Sequence, residues 1–411
     1  METTVPTGGT TQPVSQPTFT SSKAPKMNMK LVIGAIIIII VIIAVVAAFT
    51  LRASGTSSTT SVASIAPTTI QSGQSTTSIS QTSNTIYSGV NWKSTTNYPI
   101  PVFAQSCAAA ASYLYCVGGD TANNSYSPIY TNKTYYAQLS STTGGIGPWI
   151  QSTSYPTVIY GPSCIAYSGY IYCGDGLNQT GNPTAEYYYA PISSSGIGAW
   201  KQTTSYPAPS ASQSCVTSSS NIYCISITFN INNQSRYSAY SASISSSGIG
   251  AWHQTAAPSG NTGLYQFSCS SESDYVYCLA GFNYTKSQEN YTQYAQLSSS
   301  GIGTWNLGTP APFLPQSSNT CSANSGYLYC VAVGSNNATF FAPISTSGIG
   351  PWKETNPYPL ALWYASGTRN YETSLSTCTT YSGYMYCIGG LNGDKGPFSA
   401  AYYTALAASA S

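Results

Sequence analysis

Between residues 87 and 408, short stretches of alternating apolar and polar side chains are separated by turns rich in Ser, Gly, Pro and Asn. Tyr, Val and Ile are frequent at the apolar positions, as in Tyr327–Cys330 (YLYC) and Tyr384–Cys387 (YMYC). A two-residue period with β-branched and aromatic side chains is typical of strands that have one buried face. The pattern therefore predicts an all-β domain made of many short strands.

The strand pattern recurs about every 54 residues, which indicates a repeat protein. Each copy has four pieces: a strand with a cysteine after Ser or Thr, a strand close to Y-x-Y-C, a strand ending in A-x-[LI], and a strand after a G-I-G-x-W turn. That turn ends at Trp149, Trp200, Trp252, Trp305 and Trp352. Six copies of four antiparallel strands describe a six-bladed β-propeller.

The two ends of the repeat region favour a closed ring over an open solenoid. Residues Ser88–Pro99 match a fourth strand without the three that should precede it. Residues Tyr402–Ser411 match a third strand without its fourth. Because the two incomplete copies complement each other, we expect the N-terminal strand to complete the last blade.

All twelve cysteines fall into six pairs with the same gap: Cys107/Cys116, Cys164/Cys173, Cys215/Cys224, Cys269/Cys278, Cys321/Cys330 and Cys378/Cys387. A two-residue turn such as Ser382-Gly383 places the two cysteines opposite each other in a non-hydrogen-bonded pair, where Cα atoms lie about 4.5 Å apart. We therefore expect six disulfides, which indicate an oxidising, non-cytosolic compartment. The absence of C-x-x-C and the single histidine, His253, argue against zinc.

The N-terminal part predicts a membrane anchor. Residues 1–29 are polar and predicted to form a disordered cytoplasmic tail. Within residues 30–51, Leu31–Leu51 is an uninterrupted apolar stretch long enough to span a bilayer as a helix. Three lysines precede it and Arg52 follows, so the positive-inside rule places the propeller outside. The alternative is a cleaved signal peptide and a secreted product, although the stretch is long for one.

Residues 52–86 are dominated by Ser and Thr and are predicted to form a flexible stalk, O-glycosylated or unmodified. Charged residues make up only 5% of the chain and the net charge is +2, so no basic footprint for nucleic acid is present. No phosphate loop or other cofactor motif occurs, and no cofactor is expected.

The repeats resemble those of the kelch-repeat β-propeller family. Tyr113–Gly119 (YLYCVGG) and Tyr384–Gly390 (YMYCIGG) are similar to the kelch strand that ends in a double glycine, and the repeated Trp is similar to the family's tryptophan. The double glycine is degenerate after Cys173 and lost after Cys224. The resemblance implies a disc of blades around a channel, and no single function. The cysteine pairs suit an exported variant, and the apolar anchor with a weakly charged ectodomain resembles archaeal cell-surface proteins.

Seven N-x-[ST] sequons all lie between the second and third strands of their repeats, at Asn123, Asn132, Asn178, Asn233, Asn283, Asn290 and Asn337. The propeller order places them on or near one rim of the disc. In an exported domain we expect glycosylation there.

The longest connection from a fourth to a first strand reaches the same rim and contains Trp363, Tyr364, Arg369, Tyr371 and Glu372. Aromatic rings with one arginine suit a carbohydrate or peptide ligand. The alternative interpretation is a loop that only covers the channel mouth or packs on the stalk. Three acids follow the glycine strands and would reach the same mouth, unless they cap turns: Asp120, Asp175 and Asp394.

Enzymatic interpretations find little support in the sequence. A sialidase-like propeller needs an arginine cluster, and the domain has only Arg236 and Arg369. A kelch copper oxidase needs several histidines. A carboxylate-pair glycosidase would have to use Asp120, Asp175, Glu372 or Asp394. The sequence therefore predicts a non-enzymatic, membrane-anchored extracellular module that recognises protein or glycan, with a structural envelope component as the alternative.

Overall fold

A computed structural model describes residues 89–122, 128–210, 212–229, 235–259, 264–265, 267–279, 282–283, 290, 292–313, 320–333, 337–361, 377–392 and 395–406, all within one compact unit. Every regular element among them is a β-strand, and none is a helix able to cross a membrane. The predicted tail, anchor and stalk lie outside the described residues.

The strands form six antiparallel four-stranded sheets, the blades of a β-propeller. The first strands are Ser106–Ala110, Ser163–Tyr167, Gln213–Ser218, Ser268–Glu272, Thr320–Asn324 and Thr377–Tyr381. The second strands are Tyr113–Val117, Tyr170–Gly174, Asn221–Phe229, Tyr275–Leu279, Tyr327–Val333 and Tyr384–Ile388. The third strands are Thr134–Gln138, Tyr187–Ser193, Ser235–Ser245, Thr292–Ser298, Ala338–Ser345 and Ala401–Ala405. The fourth strands are Ile150–Gln151, Lys201–Gln202, His253–Thr255, Asn306–Leu307, Lys353–Thr355 and, for blade 6, Lys93–Ser94.

Shorter pairings complete the sheets. In blades 2 to 5 the third strand also pairs with two residues of the G-I-G turn: Gly196–Ile197, Gly248–Ile249, Gly301–Ile302 and Gly348–Ile349. Two ribbons lie outside the blades, formed by Leu264–Tyr265 with Phe282–Asn283 and by Leu391–Asn392 with Gly396–Pro397.

The first-to-second turns fix the register of each blade. Both central residues of every such turn have positive φ, for example Ser382 (47°) and Gly383 (78°). This geometry matches the twist of the flanking strands and keeps the turn at two residues. Each cysteine therefore faces its partner, and all six predicted disulfides are confirmed: Cys107–Cys116, Cys164–Cys173, Cys215–Cys224, Cys269–Cys278, Cys321–Cys330 and Cys378–Cys387. The Cα atoms lie 4.1–4.2 Å apart, somewhat closer than the spacing expected from an unbridged strand pair.

Cys278 departs from the pattern shared by the second cysteines of the other blades. It is bonded to Cys269 as predicted, but it is 5% exposed, whereas its five equivalents are fully buried. Those equivalents pair across the blade with a Tyr or Phe of the third strand, while Cys278 pairs with Gln293. The Gln293 side chain bonds to the backbone of Ser259, accepting from its N–H at 3.0 Å. No aromatic ring is therefore available from this position to cover the bridge, and the repeat is not uniform around its cysteines.

The ring is closed, as the sequence predicts. Each first strand contacts the first strand of the next blade, and that of blade 6 contacts that of blade 1. The N-terminal strand pairs with the third strand of blade 6, with Lys93 opposite Tyr403 and Ser94 opposite Tyr402. Residues from the two ends of the domain thus share one sheet.

Hydroxyl groups join the first strands around the channel. The N–H of Cys164 donates to Ser106 Oγ (3.1 Å), and the N–H of Cys107 donates to Thr377 Oγ1 (3.2 Å). The same bond links Cys321 to Ser268 at 2.9 Å. These bonds explain why Ser or Thr precedes the cysteine, since that hydroxyl accepts from the neighbouring blade.

The G-I-G-x-W turn joins each blade to the one before it. The indole N–H of each tryptophan donates to a backbone carbonyl of the preceding blade's fourth-strand segment: Trp149 to Thr96 (3.1 Å), Trp200 to Thr153 (3.1 Å), Trp252 to Thr204 (3.3 Å), Trp305 to Ala256 (2.9 Å) and Trp352 to Thr309 (3.0 Å). Gly89–Trp92 takes this place at the last seam, where the N–H of Val90 donates to Thr355 Oγ1 at 2.9 Å.

The repeated glycines limit strand length. In blade 1 the second strand ends at Val117, just before Gly118 and Gly119, whose φ values are 71° and 106°. In blade 3, where the double glycine is lost, the second strand continues to Phe229 and pairs throughout with the third. The loss therefore lengthens the hairpin and leaves the blade intact.

Candidate functional site

The rim that carries the second-to-third connections is the predicted ligand surface. Six of its predicted ligand residues lie outside the described residues: Trp363, Tyr364, Arg369, Tyr371, Glu372 and Asp394. Their role as ligand residues stays a prediction. Asp120 and Asp175 are described, and both lie at the ends of glycine-rich strands as expected.

Asp120 organises the connection that follows it. Its side chain is 2% exposed, and its Oδ1 accepts from the N–H groups of Ala122 (2.8 Å) and Ile129 (2.9 Å). Its backbone pairs with Phe103 on one side and Tyr130 on the other. Burial raises the pKa of Asp120, and the backbone donors partly oppose that rise. These contacts are those of a turn-capping residue.

Asp175 is the most deeply buried carboxyl group of the described rim. It is 1% exposed and has a positive φ of 65°. Neither carboxylate oxygen accepts a hydrogen bond of good geometry, although Gly176 and Ser210 lie near enough to offset part of the burial. Desolvation raises the pKa of Asp175 well above its usual value. Burial also raises the pKa of Tyr187, and the nearby Asp175 carboxylate adds to that rise.

No metal site is evident in the described part of the chain, where no three His, Cys, Asp or Glu side chains come together. His253 is exposed on the fourth strand of blade 3 and pairs there with Ser241.

A groove on the opposite face is a second candidate surface, and the sequence analysis did not predict it. It has a volume of about 640 Å³ and lies at the seam between blades 6 and 1. Its walls include Asn91, Lys93, Thr142, Thr143, Tyr384 and Tyr403. The lining contains one cation, no acid and two tyrosines.

The groove arises where the repeat is irregular. Blade 1 has two extra residues in the turn between its third and fourth strands, in Ser140–Gly147 (SSTTGGIG). Gly144 in this turn has a φ of 75°, and a Cβ there would collide with the ring of Tyr384. The extra Thr142 and Thr143 are exposed beside that ring. Comparing turn lengths between repeats could have located this feature.

Among the predicted glycosylation sites, Asn132, Asn178, Asn290 and Asn337 have described side chains. Asn283 lies in the ribbon strand Phe282–Asn283, whereas Asn123 and Asn233 lie outside the described residues. Every described sequon lies between the second and third strands, as expected from the sequence.

Comparison with known proteins agrees with the fold. No family model matches the chain, and no curated protein matches it. Among solved structures 566 chains match, and one of them is titled "Structure of YjhT". That match has a TM-score of 0.55 at 10% identity, and covers 75% of this chain and 95% of the other. At this identity the likeness shows a shared fold, and this chain is a six-bladed β-propeller.

Proposed function

We propose that the protein is a membrane-anchored, extracellular recognition module of the kelch type, held by Leu31–Leu51 and binding carbohydrate or protein at the cell surface. The six disulfides support the location, because such bonds persist in oxidising compartments. The apolar anchor and the Ser/Thr-rich stalk supply a means of display.

The observation that carries the recognition proposal is the groove between blades 6 and 1. Its volume of about 640 Å³ falls within the usual range for small-ligand sites. The half-buried ring of Tyr384 offers a flat surface for stacking on a sugar, while Thr142, Asn91 and Lys93 offer hydroxyl, amide and ammonium groups at its edge. This chemistry suits a saccharide better than an apolar ligand.

A glycan array with the purified ectodomain tests the proposal, with a peptide array beside it. Lys93→Ala and Thr142→Val should weaken binding several-fold at the groove, because each removes an exposed polar group. Lys201→Ala is the matched control, since Lys201 is exposed at the corresponding strand position of blade 2. Trp363→Ala tests the rim loop separately. If the ectodomain binds nothing on either array, or if its binding is unchanged in all of these variants, the recognition proposal is refuted.

A structural envelope component is a second candidate, favoured by two apolar side chains at the disc edge. Ile150 and Leu307 are 52% and 70% exposed on the fourth strands of blades 1 and 4. Blades 1 and 4 are opposite in a six-bladed ring, so these side chains could join copies laterally. Sedimentation of the ectodomain with and without Ile150→Ser and Leu307→Ser tests this, and imaging of envelopes tests the packing.

An action on glycosides has the weakest support. Of the four candidate carboxyl groups, Asp120 and Asp175 are almost fully buried. Activity screening against glycosides is the corresponding test.

A further inference from the structure

Three described sequons occupy the same place in blades 1, 4 and 5, just before the third strand. In each, the backbone carbonyl of the asparagine accepts a hydrogen bond from the backbone N–H of a residue after the fourth strand. The side-chain Nδ2 of the asparagine donates a second bond to the backbone carbonyl of that same residue. The pairs are Asn132 with Tyr155 (2.8 and 3.1 Å), Asn290 with Ala311 (2.7 and 2.8 Å), and Asn337 with Tyr358 (2.8 Å for the backbone bond). Each asparagine therefore clamps the exit of the fourth strand to the entry of the third.

The hydroxyl residues of these sequons also face inward. Thr134, Thr292 and Thr339 are 0% exposed. Thr134 Oγ1 donates to the carbonyl of Thr153 (2.9 Å), and Thr292 Oγ1 donates to that of Thr309 (3.0 Å). Thr339 Oγ1 is buried as well but makes no hydrogen bond. The threonine of the N-x-T pattern in blades 1 and 4 thus serves hydrogen bonds of the fold itself.

Asn178 is different. Its Oδ1 accepts from Thr180 N–H (3.0 Å), Thr180 Oγ1 (2.8 Å) and Asn182 N–H (3.1 Å), so its side chain closes a turn. Within the described residues no hydrogen bond engages its Nδ2. Gln179 and Thr180 are exposed, and Asn178 is half-buried like the three other asparagines. The contrast with those sites therefore lies in the unengaged Nδ2 and in the exposed hydroxyl residue Thr180, where the other sequons have a fully buried threonine.

We propose that Asn178 is an N-glycosylation acceptor and that Asn132, Asn290 and Asn337 remain unmodified as structural clamps. The sugar donor is a lipid-linked oligosaccharyl diphosphate. Nδ2 of Asn178 bonds to the anomeric carbon as the bond from that carbon to the diphosphate oxygen breaks. The diphosphate leaves with the electron pair, and one Nδ2 proton passes to a base of the transferase. At a clamp, the sugar would have to enter a half-buried seam beside a fully buried threonine.

Glycopeptide mapping of the full chain, produced in a secretory host that modifies N-x-[ST], tests the proposal. We expect a glycan on Asn178 and unmodified peptides for Asn132, Asn290 and Asn337. An unmodified Asn178, or a glycan on any of the three clamps, would overturn it. Because this result is read on the unaltered protein, it does not depend on whether any variant folds.

Two matched substitutions separate the two roles. Asn178→Asp keeps the oxygen that accepts the three hydrogen bonds of the turn and removes the nitrogen to which the glycan would be attached. It should therefore abolish the glycan and leave the Tm of the deglycosylated protein unchanged. Asn132→Asp places a carboxylate against the carbonyl of Tyr155, so it should lower the Tm by several degrees and leave the glycan number unchanged. Loss of a glycan in Asn132→Asp would contradict the clamp role.

Discussion

A closed ring and an open array differ at the seam between blades 5 and 6, where the N-terminal strand contacts blade 5 only if the ring is closed. Substitution of one hydroxyl residue at this seam, Thr355, tests for closure. Thr355 Oγ1 accepts from the N–H of Val90 at 2.9 Å, and Val90 is 1% exposed. Thr355→Val keeps the side-chain shape and removes this acceptor, which leaves a buried N–H without a partner in the closed ring. In an open array the N-terminal strand would not reach Thr355, and the substitution would cost little.

The expected loss can be estimated from the contact. A buried donor without a partner costs about 1–3 kcal/mol. With an entropy of unfolding of roughly 2 cal/mol/K per residue over about 300 residues, this corresponds to a decrease in Tm of roughly 2–5 °C. Differential scanning calorimetry of the ectodomain measures it.

Two matched variants make the result decisive. Thr255 Oγ1 accepts from Ile302 N–H at 2.6 Å in an internal seam, so Thr255→Val should lower the Tm at least as much. Thr304 is exposed in the same turn, and Thr304→Val should have no effect. If Thr255→Val lowers the Tm while Thr355→Val does not, the N-terminal strand does not close the ring.

Three further predictions follow from single contacts. Replacing Cys107 and Cys116 together by Ala should lower the free energy of unfolding by about 2.7 kcal/mol, from the entropy of a ten-residue loop, and a calorimetric scan equal to wild type would contradict this. Trp200→Phe keeps an aromatic ring but loses the bond to Thr153, so urea titration should show a loss of about 1 kcal/mol, and an unchanged midpoint would argue against the seam. Burial raises the pKa of Asp175, so the folded protein keeps a proton that the unfolded chain loses above about pH 4. The free energy of unfolding should therefore fall as the pH rises above about 4. Asp175→Asn should remove this pH dependence from urea midpoints measured between about pH 4 and 8.

The architecture could be predicted because its signals are local and repeated. The cysteine pairs and the Ser-Gly turns lie within ten residues of each other, so the spacing alone gives the hairpin register. Closure could be predicted because the sequence of Ser88–Pro99 has the fourth-strand pattern and that of Tyr402–Ser411 has the third-strand pattern. Because each pattern occurs in several repeats, a pattern that would be weak evidence in one copy becomes strong evidence for the fold.

The described surfaces depend on contacts between distant residues, and these were harder to predict. The burial of Asp120 follows from its pairing with Phe103 and Tyr130. The groove exists because closure brings Lys93 beside Tyr403, and because one turn of blade 1 is longer than its equivalents.

Two smaller departures from the repeat also depend on partners outside the local hairpin. Cys278 stays slightly exposed, and its cross-strand partner is Gln293. The sequence does show a Gln at this position, where the other repeats have an aromatic residue. The clamp between Asn132 and Tyr155 spans 23 residues. N-x-T directly before the third strand in three blades was a visible sign of it.

This chain forms a closed propeller with six disulfides, and we propose that the propeller lies outside the cell. Labelling intact producing cells with a membrane-impermeant amine reagent, followed by non-reducing peptide mapping, tests location and pairing in one measurement. The account predicts labelled Lys201 and Lys353, six cysteine pairs each nine residues apart, and no free thiol. Labelling that requires lysis of the cells, or thiols that remain free in the isolated protein, would contradict it.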